Sequence, residues 1–229
     1  MKRAFITVDV EQDCPPYLST VRGIKEGMPK LLKLLAVENI SATFFVTGKM
    51  AEQFPDLMRK IITDGHELGC HGHTHKSFNQ MSYAETDAEI QTSAKILRQY
   101  AEVTSFRAPY LDFPEQYLGL LSKHGFALDS SVRRFNFSHQ QRPKVIHDIY
   151  RVPTVFNSHK LRTMPWVLYL FHFKDIVFYT HPWEFIDLSN AEIPRGCRTN
   201  TGDELAARLK KWVLYLKSKH YDFRLISEY

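Results

Sequence analysis

Strand-like and helix-like segments take turns along this chain, and that alternation restricts what it can fold into more than any other feature. Ala4 to Val10 is an apolar, β-branched run that reads as a strand, and residues 23–38 then place Leu31, Leu32, Leu34 and Leu35 at helical spacing. Ser41 to Thr47 is a second strand, Phe54 to Asp64 a helix with Pro55 in its first turn, and Glu67 to Cys70 a third strand. Tyr83 to Tyr100 follows as a helix, Ser105 to Ala108 as a strand, and Glu115 to His124 as a helix ended by Gly125. Phe126 to Leu128, Ile176 to Tyr179 and Phe223 to Ile226 complete the strands, with an amphipathic helix from Asp203 to Tyr221. Parallel neighbours need crossovers, so this order predicts an α/β fold with a mostly parallel sheet. About seven strands suit a closed or nearly closed barrel, whose working residues sit where strands end. No linker or internal repeat divides residues 1–229, which read as a single domain.

The polar residues that carry chemistry do follow strands. Asp9, Glu11 and Asp13 end the first strand at alternate positions in VDVEQDCPP. Buried together they would repel one another and be costly to desolvate; a cation removes that cost, and a carboxylate there can act as a base or a metal ligand. After the third strand comes HGHTH. His71 and His75, four residues apart, share one face of a helical turn and can both reach one ion. Imidazole ligands favour zinc, iron, cobalt or nickel over magnesium or calcium. His73 and His66 read as structural. Arg107, in FRAPY, can grip a buried carboxylate with two hydrogen bonds. Asp129-Ser130-Ser131 reads as a helix cap or a substrate contact. His181, in HPWE after an apolar strand, is placed as a general acid, with Trp183 as a wall for a sugar ring.

Other function classes are disfavoured. The net charge of +5 is modest, and no Lys/Arg block interleaved with aromatics marks a nucleic-acid surface. The same charge, with the stretch Met164-Pro165-Trp166-Val167-Leu168-Tyr169-Leu170-Phe171, leans toward an anionic lipid surface and peripheral membrane contact. Three dispersed cysteines give no disulfide framework, and the apolar run at the start is interrupted by Asp9, unlike an export signal. No segment reaches the length of a membrane span. These readings together predict a cytoplasmic protein. Nothing here sets the oligomeric state.

In their order and spacing, the acid cluster, HxxxH, RxPY and HPW, with TFFVTG, GHELGCHGHTH and SFRAPY between them, resemble the polysaccharide deacetylase (NodB-homology) family, similar to carbohydrate esterase family 4. The resemblance runs from about Phe5 to Phe223-Arg224-Leu225. It implies a distorted (β/α) barrel and hydrolysis of an acyl group on a carbohydrate with one divalent metal, zinc first, then cobalt, nickel or iron. It also implies roles: Asp9 as general base, His71 and His75 as metal ligands, Arg107 orienting the base, the Tyr110 backbone N–H at the oxyanion, and His181 as general acid. Many members have two adjacent aspartates in the first motif; here Val10 follows Asp9, so Glu11 is the first choice for third ligand and Asp13 the alternative. The expected substrate is an N-acylated amino sugar in a glycan, lipid-linked or nucleotide-linked saccharide. The alternatives are a deformylase or cyclic-amide hydrolase of the same fold, and an inactive carbohydrate-binding protein.

Overall fold

The computed structural model describes residues 1–135, 141–170 and 173–229. Its strands are β1 (Lys2–Val10), β2 (Thr43–Val46), β3 (Glu67–Cys70), β4 (Ser105–Phe106), β5 (Leu128–Asp129), β6 (Lys144–Ile146), β7 (Ile149–Arg151), β8 (Phe156–Asn157), β9 (Asp175–Thr180) and β10 (Tyr221–Phe223). The α-helices are α1 (Met28–Val37), α2 (Gly48–Gln53), α3 (Pro55–Thr63), α4 (Tyr83–Leu97), α5 (Leu118–Lys123), α6 (Ser158–Thr163), α7 (Pro165–Leu170), α8 (Arg195–Arg198) and α9 (Asp203–Ser218). The fold class is α/β, as the alternation predicts. All seven strands read from the sequence are present; β6, β7 and β8 are additions. The last strand lies earlier than expected, and a 3-10 turn, Ile226–Glu228, follows it.

The chain divides into two compact units, one formed by Met1–Ala42 with Phe156–Arg224, the other by Thr43–Val155 with Leu225–Tyr229. In the first unit β1 pairs with β10 and β9, and β9 with β8, all parallel. Every residue of β1 from Ala4 onward is buried, as a parallel strand covered on both faces should be. Helix α9 turns Leu205, Leu209, Trp212, Val213 and Leu216 inward. Trp212 meets Phe178 and Phe156 at ring-centroid distances of 4.9 and 6.5 Å. Truncating such a buried ring to Ala costs about 3–5 kcal/mol.

In the second unit β2, β3, β4, β5 and β7 pair in that order, all parallel. Strand β6 returns antiparallel on β7 through His147 and Asp148, both at positive φ (50° and 63°), the backbone a tight hairpin requires. Helix α4 begins at a capping box in which Ser82 and Glu85 exchange hydrogen bonds. Ser93 of this helix lies 3.1 Å from Cys70 of β3, Oγ to Sγ. Phe106 packs edge-on against Phe78, Phe113 and Phe126.

The end of the apolar stretch read in the sequence, Phe171, lies outside the described residues, as does His172. Among the described residues no helix is long and apolar enough to cross a membrane, and Cys14, Cys70 and Cys197 are free thiols.

Candidate active site

The first unit gathers the acid cluster and His181. The last paired rung between β1 and β9 joins Val8 to Thr180, so Asp9 and His181 leave neighbouring parallel strands side by side. Asp9 and Glu11 are 3% and 4% exposed. The His181 ring presents Nδ1 to Glu184 Oε2 at 3.0 Å and Nε2 to Glu11 Oε1 at 3.8 Å. Burial by itself would lower its pKa, but the charges of Glu11, Glu184 and Asp9 and the Glu184 hydrogen bond outweigh it and push the ring up to about 9. Its carboxylate neighbours thus favour the imidazolium, the form with a proton to give.

Glu184 is the residue the sequence reading left without a role. It is buried, and Arg162 donates to its Oε1 from Nε at 3.0 Å. Its Oε2 accepts from Ser158 Oγ, from Thr180 Oγ1 at 3.1 Å and from the His181 backbone N–H at 3.0 Å. Burial would raise this carboxyl, but His181, Arg162 and Ser158 hold it down at about 2. A signal for it was present: a Glu three residues after His181, with Pro182 between, is the spacing of a capping box, and Glu184 closes one at the 3-10 turn Pro182–Phe185.

Two expectations change on this side. Asp13 is buried and both its oxygens are engaged: Oδ2 accepts from Thr20 Oγ1 (2.5 Å) and Arg22 N (2.8 Å), Oδ1 from Gly23 N (2.8 Å). It ties the loop after β1 to the helical turn at Gly23. Trp183 is no open wall for a sugar. It is 6% exposed, packs with Cys14, Ile186, Leu188 and Ile193, and stacks on His181 at 5.1 Å and 22°. It supports the imidazole.

The second unit gathers His71, His75, Arg107 and Tyr110. The HGHTH segment is a loop, not the helical turn its spacing predicts, because Gly72 and His75 both take positive φ (72° and 61°). The two rings still stand 5.3 Å apart. The loop is pinned through its backbone. His71 N donates to Val46 O, while Gly48 N and Lys49 N, at the start of α2, donate to Gly72 O and His73 O. Helix α2 was missed in the sequence; Thr47, whose hydroxyl accepts from Met50 N, is the cap that could have revealed it. Gly48 is needed there, since a Cβ would lie 2.4 Å from His73 Nδ1.

His71 Nδ1 is 2.7 Å from the Arg107 carbonyl oxygen. A carbonyl can only accept, so Nδ1 carries the hydrogen and Nε2 keeps the lone pair, the tautomer a metal ligand needs. Arg107 is fully buried, with its guanidinium 4.3 Å from the Phe45 ring centroid and bonded to Ser130 O (3.2 Å) and Ser130 Oγ (3.0 Å). Asp129-Ser130-Ser131 therefore caps no helix. Ser131 Oγ accepts from Ala108 N at 2.8 Å and donates to Asp129, and Asp129 pairs with Arg151 at 2.7 Å. Burial raises the Asp129 pKa against the opposing pull of Arg151. Tyr110 follows Pro109 in a left-handed conformation (φ 63°, ψ 5°), which costs a non-glycine residue about 1–3 kcal/mol, and its ring lies edge-on to His75 at 4.9 Å. His66 is buried and tilted against Phe44, and burial lowers its pKa.

The sequence profile described as polysaccharide deacetylase matches residues 2–128. A peptidoglycan deacetylase of Helicobacter pylori is 31% identical over 132 residues, 56% of this chain and 44% of that protein. A chitooligosaccharide deacetylase of Bradyrhizobium is 31% identical over 102 residues, 43% of this chain and 47% of that protein. The chain thus spans less than half the length of these curated relatives. Among solved structures, a family 4 carbohydrate-esterase pseudoenzyme from Bacillus anthracis superposes with a TM-score of 0.68 at 15% identity, over 99% of this chain and 64% of that one. That likeness establishes the fold.

Proposed function

We propose, from the premise that this chain belongs to the polysaccharide deacetylase family, that it hydrolyses an N-acyl group, acetyl first, from an amino sugar in a glycan, lipid-linked or nucleotide-linked saccharide. The observation that carries this reading is His181, held between Glu11 and Glu184 at the end of the strand beside Asp9. An amine is a poor leaving group until it is protonated, and this ring has the proton to supply.

We assign Glu11, His71 and His75 to one divalent cation, zinc first, with cobalt, nickel or iron as alternatives. A carboxylate and two imidazoles are a donor set these ions take, and the His71 tautomer suits it. When bound, such an ion supplies Lewis acidity to the acyl oxygen. Asp9 takes the proton of the attacking water, and Arg107 orients that carboxylate. The Tyr110 N–H stabilises the developing oxyanion. His181 then passes its proton to the departing nitrogen. In this reading the two units work as one catalytic domain.

The test is acetate release from a panel of N-acetylated oligosaccharides by metal-loaded protein, with His71→Ala as control. Release by the wild type alone supports the reading. Formate release, or cleavage of a cyclic amide, would move it to another amide hydrolase. Sugar binding with no acyl release would make the chain a binding protein.

A lipid-linked substrate is favoured by one surface feature. Met164 and Trp166 are 42% and 61% exposed, and Trp166 borders a hollow of about 490 Å³ lined also by Lys211 and by Arg208 with its ion-pair partner Glu204. Co-flotation with anionic vesicles, lost in Trp166→Ala, would support it, and no flotation of the wild type would remove it.

A further inference from the structure

Outside the residues already assigned, one side chain meets the histidine loop at three points. Glu89 lies in the middle of α4, sixteen residues beyond His73. Its Oε1 accepts from His73 N at 2.9 Å, from Thr74 N at 2.5 Å and from Thr74 Oγ1 at 2.8 Å. Those donors are the central part of the loop that separates His71 from His75.

The loop needs such an anchor. It belongs to no helix or strand, and two of its residues, Gly72 and His75, are left-handed. A segment of this kind has no regular hydrogen-bond ladder of its own, so its N–H groups must find partners elsewhere. At the β3 end the His71 N–H is taken by Val46, and the Gly72 and His73 carbonyls are taken by α2. The His73 and Thr74 N–H groups converge on Glu89. The helix that carries it is rigid: a capping box starts it, Ile90, Ser93, Ala94 and Leu97 are buried, and Ser93 touches Cys70 at the end of β3. A charged acceptor makes bonds about twice as strong as a neutral one, and three donors on one oxygen need a carboxylate's charge.

We propose that Glu89 is a positioning residue for the metal-binding histidines, fixing the His73–Thr74 backbone so that His71 and His75 present their rings to one cation. This inference rests on the metal assignment made above. It makes Glu89 an outer partner acting through the backbone, where such partners more often act on the ligand's own ring nitrogen.

Cobalt(II) alone is the probe, titrated into metal-free protein and followed by its visible absorption band. Glu89→Ala should weaken cobalt uptake about 10–100-fold and change the band's shape, at a temperature where the metal-free variant is shown to be folded. Glu89→Gln keeps an acceptor oxygen without the charge and should recover only part of the affinity lost in Glu89→Ala. Should Glu89→Ala fail to fold, Thr74→Val removes the hydroxyl donor only and should still weaken uptake several-fold. Wild-type affinity and band shape in Glu89→Ala, or in Thr74→Val where that variant is the one used, would overturn the proposal while leaving the metal assignment in place. Failure of the wild type to take up cobalt would overturn both.

Discussion

The end of β1 with β9 and the loop after β3 both carry side chains fit for chemistry, but they are held by opposite means. Asp9 and His181 emerge from adjacent strands whose register is set rung by rung, and what tunes His181 is buried charge, that of Glu11 and of Glu184, the latter paired with Arg162. His71 and His75 stand on a loop without regular structure, held by neutral backbone bonds to Val46 and α2 and by the one carboxylate of Glu89. The first arrangement sets protonation and the second sets position. Substitutions in the two regions should therefore fail in different currencies, proton affinity on one side and ligand geometry on the other.

The largest effect expected is on turnover. His181→Ala or Asp9→Asn should lower kcat for acyl release by about 10²–10⁴-fold, the worth of a positioned acid or base, with metal uptake kept in His181→Ala. A loss under tenfold in both would break the assignment of the strand ends to proton transfer. Next is stability. Arg162 and Glu184 form a buried pair at 3.0 Å, so Arg162→Met takes one charged partner from a buried carboxylate that keeps His181, Ser158 and Thr180, and should cost about 1.5–3 kcal/mol in urea unfolding at neutral pH. The pH dependence has a definite sign. Glu184 has a folded pKa of about 2 against an ordinary value of 4.5, so its contribution is full above 4.5 and lost as pH falls through 2. In Arg162→Met the folded pKa should rise toward 4.5, so that less stability is lost on acidification and the loss is complete at a higher pH. An unchanged acid transition would show that Arg162 does not hold the carboxyl down.

A third comparison separates two acids on the same strand end. Asp13→Asn removes a charged acceptor from Thr20 or from the Arg22 and Gly23 N–H groups and should cost about 1–3 kcal/mol in stability while cobalt affinity stays. Glu11→Ala should do the reverse. The smallest effect is a shift. In metal-free protein Glu184→Gln should lower the His181 pKa from about 9 by about one unit, read by ¹⁵N NMR titration, because a carboxylate favours the charged ring and an amide does not. An unmoved titration would assign the proton's retention to Glu11 and Asp9 instead.

The same contrast explains what was legible in the sequence. The strands showed as β-branched and apolar runs, Pro55 and Gly125 marked a helix start and a helix end, and Asp9, Glu11 and His181 could be placed because strand ends are where such folds put polar groups. Position in the loop was not legible: HxxxH spacing is compatible with a helical turn, and only the backbone at Gly72 and His75 excludes it. Helix α2 has six residues and begins with Gly, so propensity hides it. The β6–β7 hairpin turns on His147-Asp148, without the Asn-Gly that usually announces such a turn. Glu89 acts at a distance of fifteen and sixteen residues, through bonds to backbone that leave no spacing pattern.

The rung that joins Val8 to Thr180 carries one more implication. Side chains on β1 alternate between its two faces, so a single residue inserted between Lys2 and Val8 would have two outcomes. Either the pairing below the insertion breaks, or everything beyond it turns over, and Val8 comes to stand where Asp9 had been. Across lineages that keep the activity, length changes in this strand should be absent even where its apolar residues are freely exchanged.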